Sequence, residues 1–257
     1  MGRTRGLGPR PCPDRPPDRL QKRPRDRRFD RRRARRREKR KRLSSPGRKT
    51  PAPVPEAVMM EKAAGIWALV PAAGSSRRMG EPKLLLPYRG RTVIEAVLEA
   101  AEASRVERTL VVLGRRIGRV EGKIARFAVR LTRNPRPAEG MLSSVQRGFR
   151  ALPRSVRAAV VLLGDQPWVK ASTIDRLVEA YLGGSRGLVC PVHGGKGGHP
   201  LLVDVRYRED VARLDPAEGL RGLLRLHPED LLRLEVEEPD ILEDLDGPED
   251  LIKLGRL

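Results

Sequence analysis

The sequence predicts an α/β fold: a single-domain, doubly wound and mostly parallel Rossmann-like sheet. Three observations carry this expectation. Seven short apolar runs alternate with stretches of helical periodicity. The roughly 190 residues from Ile66 onward suffice for one domain with a substantial core. Two of the apolar runs end directly in loops rich in small or acidic residues, and such strand ends are where open parallel sheets gather ligands.

Residues 1–60 stand apart by composition. They hold 22 Lys/Arg against 6 Asp/Glu, a net of +16, leaving only +5 of the chain's +21 for residues 61–257. This stretch is Pro-rich, with Phe29 its single aromatic and few aliphatic residues. It cannot bury enough surface to offset its ordering entropy, so residues 1–60 are expected to be a disordered basic tail and 61–257 the folded domain. The cationic run 31–42 can attract RNA, DNA or acidic lipid by counterion release. Phe29 alone serves for base stacking and no nucleic-acid motif accompanies it, so nucleic acid is not an expected partner beyond this tail. The favoured alternative is a start at Met59 or Met60. Prolines and acids fit an organelle presequence poorly, no signal-type apolar region follows, and no run of ~18 apolar residues occurs. A soluble cytoplasmic protein without membrane association is expected. Cys12 and Cys190 make neither a disulfide framework nor a metal cluster, and the three histidines make no zinc motif.

Within the domain the first strand is expected over 66–70. A helix over 92–103 follows, with Val93, Val97, Leu98 and Ala101 on one face and Glu95, Glu99 and Glu102 opposite; Thr92 caps it and Glu95 completes a capping box. Strands at 109–113 and 127–131 flank a weaker helical stretch, 115–126, in which Gly118 and Gly122 each cost about 1 kcal/mol. Next come a helix from Ser143 to Ala151, a strand at 158–163, a helix capped by Ser172 and running to Tyr181, and strands at 187–191, 201–205 and 232–236. Right-handed crossovers place the loops after the first and fourth of these strands at one sheet edge.

The first of those loops reads Val70-Pro71-Ala72-Ala73-Gly74-Ser75-Ser76-Arg77-Arg78-Met79-Gly80-Glu81-Pro82-Lys83. Small residues let backbone N–H groups approach phosphate oxygens, Ser75 and Ser76 add donors, and Arg77, Arg78 and Lys83 add charge, which is what a polyphosphate requires. It is neither a Walker loop nor the dinucleotide fingerprint. The second loop is Leu163-Gly164-Asp165-Gln166-Pro167, an acid at a strand end whose hard oxygens suit Mg²⁺. A second carboxylate is needed nearby, and Asp246, with Asp244 two residues earlier, is the candidate; 246–250 equally reads as a helix start with a cap and Pro248 in its first turn. Gly140-Met141-Leu142-Ser143-Ser144 opens a helix, so its N–H groups and the Ser143 and Ser144 hydroxyls can face base or ribose; alternatively Ser143 is an N-cap with Gln146 three residues on. The segment 194–200 is too glycine-rich for a regular element and is expected to turn over an acceptor, with His199 meeting an acceptor phosphate or a backbone carbonyl. His193 and His227 read as surface or satisfied histidines. No Ser/His/Asp or Cys/His nucleophile is evident, which favours direct in-line transfer.

Taken together and in this order, the first loop, the Gly140 segment, Leu163-Gly164-Asp165-Gln166-Pro167, Gly198-His199-Pro200 and Asp244-Leu245-Asp246-Gly247-Pro248-Glu249-Asp250 resemble one family, the MobA/MocA-like nucleotidyltransferases. Ala72-Ala73-Gly74, Lys83-Leu84-Leu85-Leu86-Pro87 and the Gly-Asp-Gln-Pro loop are most similar to its molybdenum cofactor cytidylyltransferase branch; Pro71 is shared with the isoprenoid-pathway cytidylyltransferases. The resemblance implies a nucleotide-diphospho-sugar-transferase-like fold. It also implies Mg²⁺ held by Asp165 and Asp246, catalysis by Arg78, Lys83 and Asp165, and nucleotide binding by Ala72, Ala73, Gly74, Ser75, Ser76, Arg78, Lys83, Gly140, Ser143 and Ser144. Gly198 and His199 are then the acceptor-binding residues. The implied reaction moves CMP from CTP to the phosphate of a molybdopterin-type cofactor and releases pyrophosphate; a molybdoenzyme is an implied partner. Guanylyl transfer, a sugar or polyol phosphate acceptor, and a non-catalytic nucleotide or cofactor carrier are the alternatives.

Overall fold

The structure is a computed structural model that describes residues 61–74, 82–114, 118–245 and 250. The basic tail, residues 75–81 and Asp246 lie outside them. In chain order the elements are β1 (Ala63–Ala72), a short hairpin of β2 (Pro87–Tyr88) and β3 (Arg91–Thr92), α1 (Val93–Ala103), β4 (Val106–Leu113), α2 (Gly118–Ile124), β5 (Val129–Arg133), α3 (Met141–Ala151), β6 (Ala158–Val161), α4 (Ala171–Gly183), β7 (Leu188–His193), β8 (Lys196–Gly197), β9 (Leu201–Asp204), α5 (Arg208–Arg213), α6 (Leu220–Leu226) and β10 (Leu231–Glu235). Each of the seven expected apolar runs forms a strand.

Side-chain alternation along β1 sets the layers. Ile66, Ala68, Val70 and Ala72 enter one core with residues of α1, α2 and α4, while Trp67 and Leu69 enter the other with residues of α3, α5 and α6. The main sheet runs β10-β7-β9-β6-β1-β4-β5, with β8 hydrogen-bonded to β7. β1 lies parallel to both β4 and β6, β4 parallel to β5, and β10 parallel to β7. β9 is antiparallel to β6 and β7, so the sheet is mixed within its mostly parallel plan. The chain leaves β1 toward β4 and β5 and later returns to the other side of β1 as β6. That reversal is a topological switch point, and it brings the ends of β1 and β6 together.

Local chemistry explains the helix boundaries. At α1, the Glu95 carboxylate accepts hydrogen bonds from the Thr92 backbone N–H (2.8 Å) and hydroxyl (2.7 Å), as the Thr-x-x-Glu spacing requires. Two expected caps are corrected. Ser143 is the third residue of α3 rather than its cap, because Gly140, at φ 91°, turns the chain into the helix; α4 begins at Ala171 after Lys170, not at Ser172. The expected strand at 127–131 is displaced to β5, and the helical stretch 115–126 is reduced to α2. The glycine-rich segment 194–200 is more regular than expected. Gly194 and Gly195 both take positive φ, which forms the tight turn of the β7–β8 hairpin.

α3 reaches the sheet through Gly148, where an added Cβ would collide with the Leu69 side chain. At the opposite end of the sheet from the β1 and β6 loops, Asp230 accepts from the Tyr207 hydroxyl, the Arg206 guanidinium and the Gly187 backbone N–H, joining β7, β9 and the approach to β10. Burial alone would raise the Asp230 carboxyl, but these three donors outweigh it and hold it below the ordinary 3.8. The Tyr207 hydroxyl, partly desolvated and bonded to that carboxylate, is pushed up to about 12.

Gly148→Val is expected to lower unfolding free energy by about 1–3 kcal/mol through overpacking against Leu69, read from urea midpoints. Because the folded Asp230 carboxyl is depressed, its contribution is fully present above pH ~3.8 and is lost as pH falls through the folded value. The stability gap between wild type and Asp230→Asn is therefore expected to be widest near neutrality and to close in acid; a gap independent of pH contradicts this.

Candidate functional site

Strand order ranks the candidate residues along one sheet edge. At its centre β1 ends in Ala72, paired with Leu113, and the chain continues through buried Ala73 to exposed Gly74. Two glycines let neighbouring strand ends close on this loop. A Cβ on Gly114 would lie 2.9 Å from the Ala73 carbonyl oxygen, and a Cβ on Gly164 would lie 2.9 Å from the Pro71 carbonyl oxygen and 3.3 Å from Leu84. Nothing lies within 4 Å of a Cβ placed on Gly74, so space opens beside the loop. Ser75, Ser76, Arg77 and Arg78 fall in 75–81, outside the described residues.

The segment before Asp246 ties the edge together. Lys83, which opens the 3₁₀ turn Lys83–Leu85, donates from Nζ to the Leu245 carbonyl at 2.7 Å. Gln166, buried after β6, donates from Nε2 to the Glu243 carbonyl at 2.9 Å and to Asp244 Oδ1 at 3.1 Å. Leu245 is fully buried in a small cluster with Tyr88, Val93, Ala96 and Trp168. Lys83, half-buried Asp165 and Asp244 thus belong to one edge, since Leu84 packs on Gly164 and Asp244 is held by the residue beside Asp165. Asp246 follows Leu245 but lies outside the described residues.

This donor set fits Mg²⁺. Among the described residues there is no group of three or more metal-ligating side chains. Mg²⁺ binds through one or two carboxylates plus substrate phosphates rather than in an all-protein cage, which Asp165 with an acid of the 244–246 segment can supply.

On the β4 and β5 side, Ser143 and Ser144 are arranged differently from expectation. Asn134, itself 2 % exposed, donates from Nδ2 to the Ser143 hydroxyl at 2.8 Å and to the Ser144 hydroxyl at 3.0 Å, and its Oδ1 accepts from the Arg136 N–H at 2.9 Å. The Ser143 hydroxyl donates onward toward the Gly140 (2.7 Å) and Arg136 (3.0 Å) carbonyls. Both hydroxyls therefore hold the loop before α3, and Ser143 also lines a cavity of about 520 Å³. Arg133, Arg136, Arg147 and Arg150 surround that cavity. Sequence reading passed over Asn134 and these arginines. An Asn-Pro step is a turn signal, and Arg147 and Arg150 are spaced to share a helix face, but neither pattern marks a ligand pocket without the packing of β5 on α3.

On the β6 and β9 side, His199 precedes β9 through a cis His199–Pro200 bond. Its ring hydrogen-bonds the Val161 carbonyl, the second of the two expected partners, and burial holds the imidazole below its usual 6.5 despite that bond and nearby Asp244. Gly198 packs against the Ile241 carbonyl. His193 Nδ1 meets the Val236 carbonyl at 3.0 Å and His227 Nε2 meets Asp210 at 3.0 Å, so both are satisfied locally. Cys190 is buried in β7 with its thiol pushed up by desolvation, which keeps it protonated.

Comparison with known proteins agrees with this layout. Residues 68–232 match the family described as the MobA-like NTP transferase domain. The chain is 28% identical over 188 residues to the molybdenum cofactor cytidylyltransferase of Escherichia coli (strain K12), covering 73% of this chain and 94% of that protein. It is 30% identical over 190 residues to the nicotine blue oxidoreductase of Paenarthrobacter nicotinovorans, covering 71% and 93% respectively. Among solved structures, a nucleotidyl transferase from Methanothermobacter thermautotroptrophicus superposes with TM-score 0.64 at 29% identity, over 75% of this chain and 96% of that one. Rv0371c from Mycobacterium tuberculosis H37Rv superposes with TM-score 0.66 at 25% identity, over 75% and 98%. No helix among the described residues is long and apolar enough to cross a membrane.

Gln166→Leu is expected to cost about 1–3 kcal/mol, because the Glu243 carbonyl and Asp244 lose a buried donor. Amide exchange at 241–245 is expected to quicken with it, as read by hydrogen-exchange mass spectrometry; unchanged protection there contradicts the tie described above.

Proposed function

The chain belongs to the MobA-like NTP transferase family, and from that premise we propose a Mg²⁺-dependent cytidylyltransferase that joins CMP from CTP to the phosphate of a molybdopterin-type cofactor. The observation that carries the reading is the meeting of the Ala72-Ala73-Gly74 loop, Lys83 and Asp165 at the switch point between β1 and β6. Similarity along nearly the whole length of the E. coli molybdenum cofactor cytidylyltransferase supports the choice of nucleotide and acceptor.

In the proposed reaction an acceptor phosphate oxygen attacks the α-phosphorus of CTP. A new P–O bond forms, the bond to the β-phosphate oxygen breaks, and pyrophosphate leaves with the electron pair. The acceptor is already an anion, so no general base is needed. Catalysis is then positioning and charge neutralisation. Backbone N–H groups of Ala72, Ala73 and Gly74, with Ser75 and Ser76, are assigned to the triphosphate, and Arg78 and Lys83 to the charge that develops on pyrophosphate. Lys83 spends one donor on the Leu245 carbonyl, and an ammonium carries three, so one group can position the 243–245 segment and meet a phosphate. Asp165 and Asp246, with Asp244 beside them, are assigned to Mg²⁺, which when bound neutralises phosphate charge and aligns the reacting oxygens. Gly140 and Ser143 sit where a base or ribose would enter from the β4 side, with Ser144 holding the same loop.

Pyrophosphate release in a panel of four nucleoside triphosphates, with Mg²⁺ and molybdopterin, is expected with CTP; exclusive use of GTP overturns the choice of base. Asp165→Asn is expected to lower turnover roughly 10²- to 10³-fold, as loss of one charge-stabilising contact does. Cofactor delivery unchanged by that substitution would instead favour a carrier. Turnover of a nicotinamide cofactor without pyrophosphate release would favour the chemistry named for the Paenarthrobacter relative.

A further inference from the structure

A second, smaller cavity, of about 230 Å³, opens beside the acid loop, between the β7–β9 end of the same edge and α6. Leu201, Leu220 and Leu224 supply its apolar wall, Cys190 and His199 its polar points, and Arg221 its exposed cation. Its volume falls below the ~300 Å³ at which pockets for drug-sized molecules begin, so it takes one ring system and not a nucleotide.

The chemistry of His199 narrows what that ring must offer. Nδ1 is buried and has no hydrogen-bond partner in the protein, so the bond to the Val161 carbonyl falls to Nε2. A carbonyl only accepts, so Nε2 carries the proton, and in the neutral ring Nδ1 is then an acceptor. Burial favours that neutral form. A buried acceptor without a donor costs about 1–3 kcal/mol, a deficit that a ligand N–H would remove. This excludes phosphate, which is itself an acceptor, as the group His199 receives. Arg221 has no ion-pair partner among the described residues and lies near enough to His199 to act on it electrostatically. The Cys190 thiol is occupied with the Pro191 and Gly198 carbonyls at 3.5 and 3.8 Å, and a Cβ on Gly197 would lie 3.0 Å from its sulfur, so it limits the depth of the cavity.

We propose that this cavity receives the ring system of the acceptor, a flat heterocycle whose ring N–H donates to His199 Nδ1, whose faces lie against Leu201, Leu220 and Leu224, and whose anionic substituent meets Arg221. This rests on the transferase reading for the identity of the ligand as acceptor. The strand order then assigns the two substrates to opposite flanks of Asp165, nucleotide toward β4 and acceptor ring toward β7.

The test uses the full-length protein and 6-carboxypterin, a fluorescent flat heterocycle with ring N–H groups and a carboxylate, alongside its ring-N-methylated analogue. Saturable quenching is expected with the parent probe. Methylation of the ring N–H, or Leu224→Trp filling the cavity, is expected to weaken binding at least about tenfold, and Arg221→Gln about fivefold, the range that loss of one directed contact produces. CTP affinity measured in parallel by calorimetry is expected to be the same in all forms. Absence of saturable probe binding, equal affinity for the parent and methylated probes, or insensitivity to Leu224→Trp overturns the proposal. The methylated probe needs only the wild-type protein, so a variant that fails to fold leaves the question answerable. Probe binding retained in a protein that neither binds CTP nor releases pyrophosphate would sink the transferase reading while leaving the cavity assignment standing.

Discussion

The architecture depends on one close approach: three parallel strand ends, those of β4, β1 and β6, converge with too little room for side chains between them. Gly114 and Gly164 make this possible, because at either position a Cβ would press against a carbonyl oxygen of the β1 exit. The same crowding points the Ala72-Ala73-Gly74 backbone outward and leaves open space at Gly74. A parallel sheet with a reversal of winding supplies the crevice, and missing side chains let it be narrow enough for a phosphate chain to touch both walls.

Around this convergence, polar side chains do work that regular secondary structure cannot. Gln166 and Lys83 each reach a backbone carbonyl of the segment leading to Asp246, and Asn134 holds both Ser143 and Ser144. These are contacts between residues far apart in sequence. They order loops that have few ladder bonds of their own, and they do so at the edge where a ligand needs fixed geometry. Stabilising chemistry at the other edge is separate: Asp230, with Tyr207 and Arg206, fastens strand starts well away from the crevice.

How much of this could be read from the chain alone follows from the range of each interaction. Strands buried on both faces are continuous apolar runs, and all seven were legible for that reason. The Thr92 and Glu95 pair was legible because a capping box is local. Ser143 and Ser172 were misjudged as caps because the entry to each helix is decided elsewhere, by a positive-φ glycine in one case and by the chain path from Pro167 in the other. The antiparallel insertion of β9 and the β8 hairpin left only a weak trace in a glycine-rich stretch. At the site, Lys83, Asp165 and His199 stood out as motif residues. Gln166 could be seen within its motif but its bonds could not, and Asn134, Arg221 and the arginine-lined cavity had no short pattern, since each acquires its role from a partner dozens of residues away or from packing between elements.

The burial of Leu245 among Tyr88, Val93, Ala96 and Trp168 has a consequence for the chain's tolerance of truncation. A polypeptide ending before Glu243 would keep every strand of the sheet, yet it would uncover an indole and a phenol ring at the working edge and strip Gln166 and Lys83 of their carbonyl acceptors. Such a product would be a sticky, well-folded remnant rather than an unfolded one, and quality control in the cell would meet it through surface hydrophobicity instead of lost core stability.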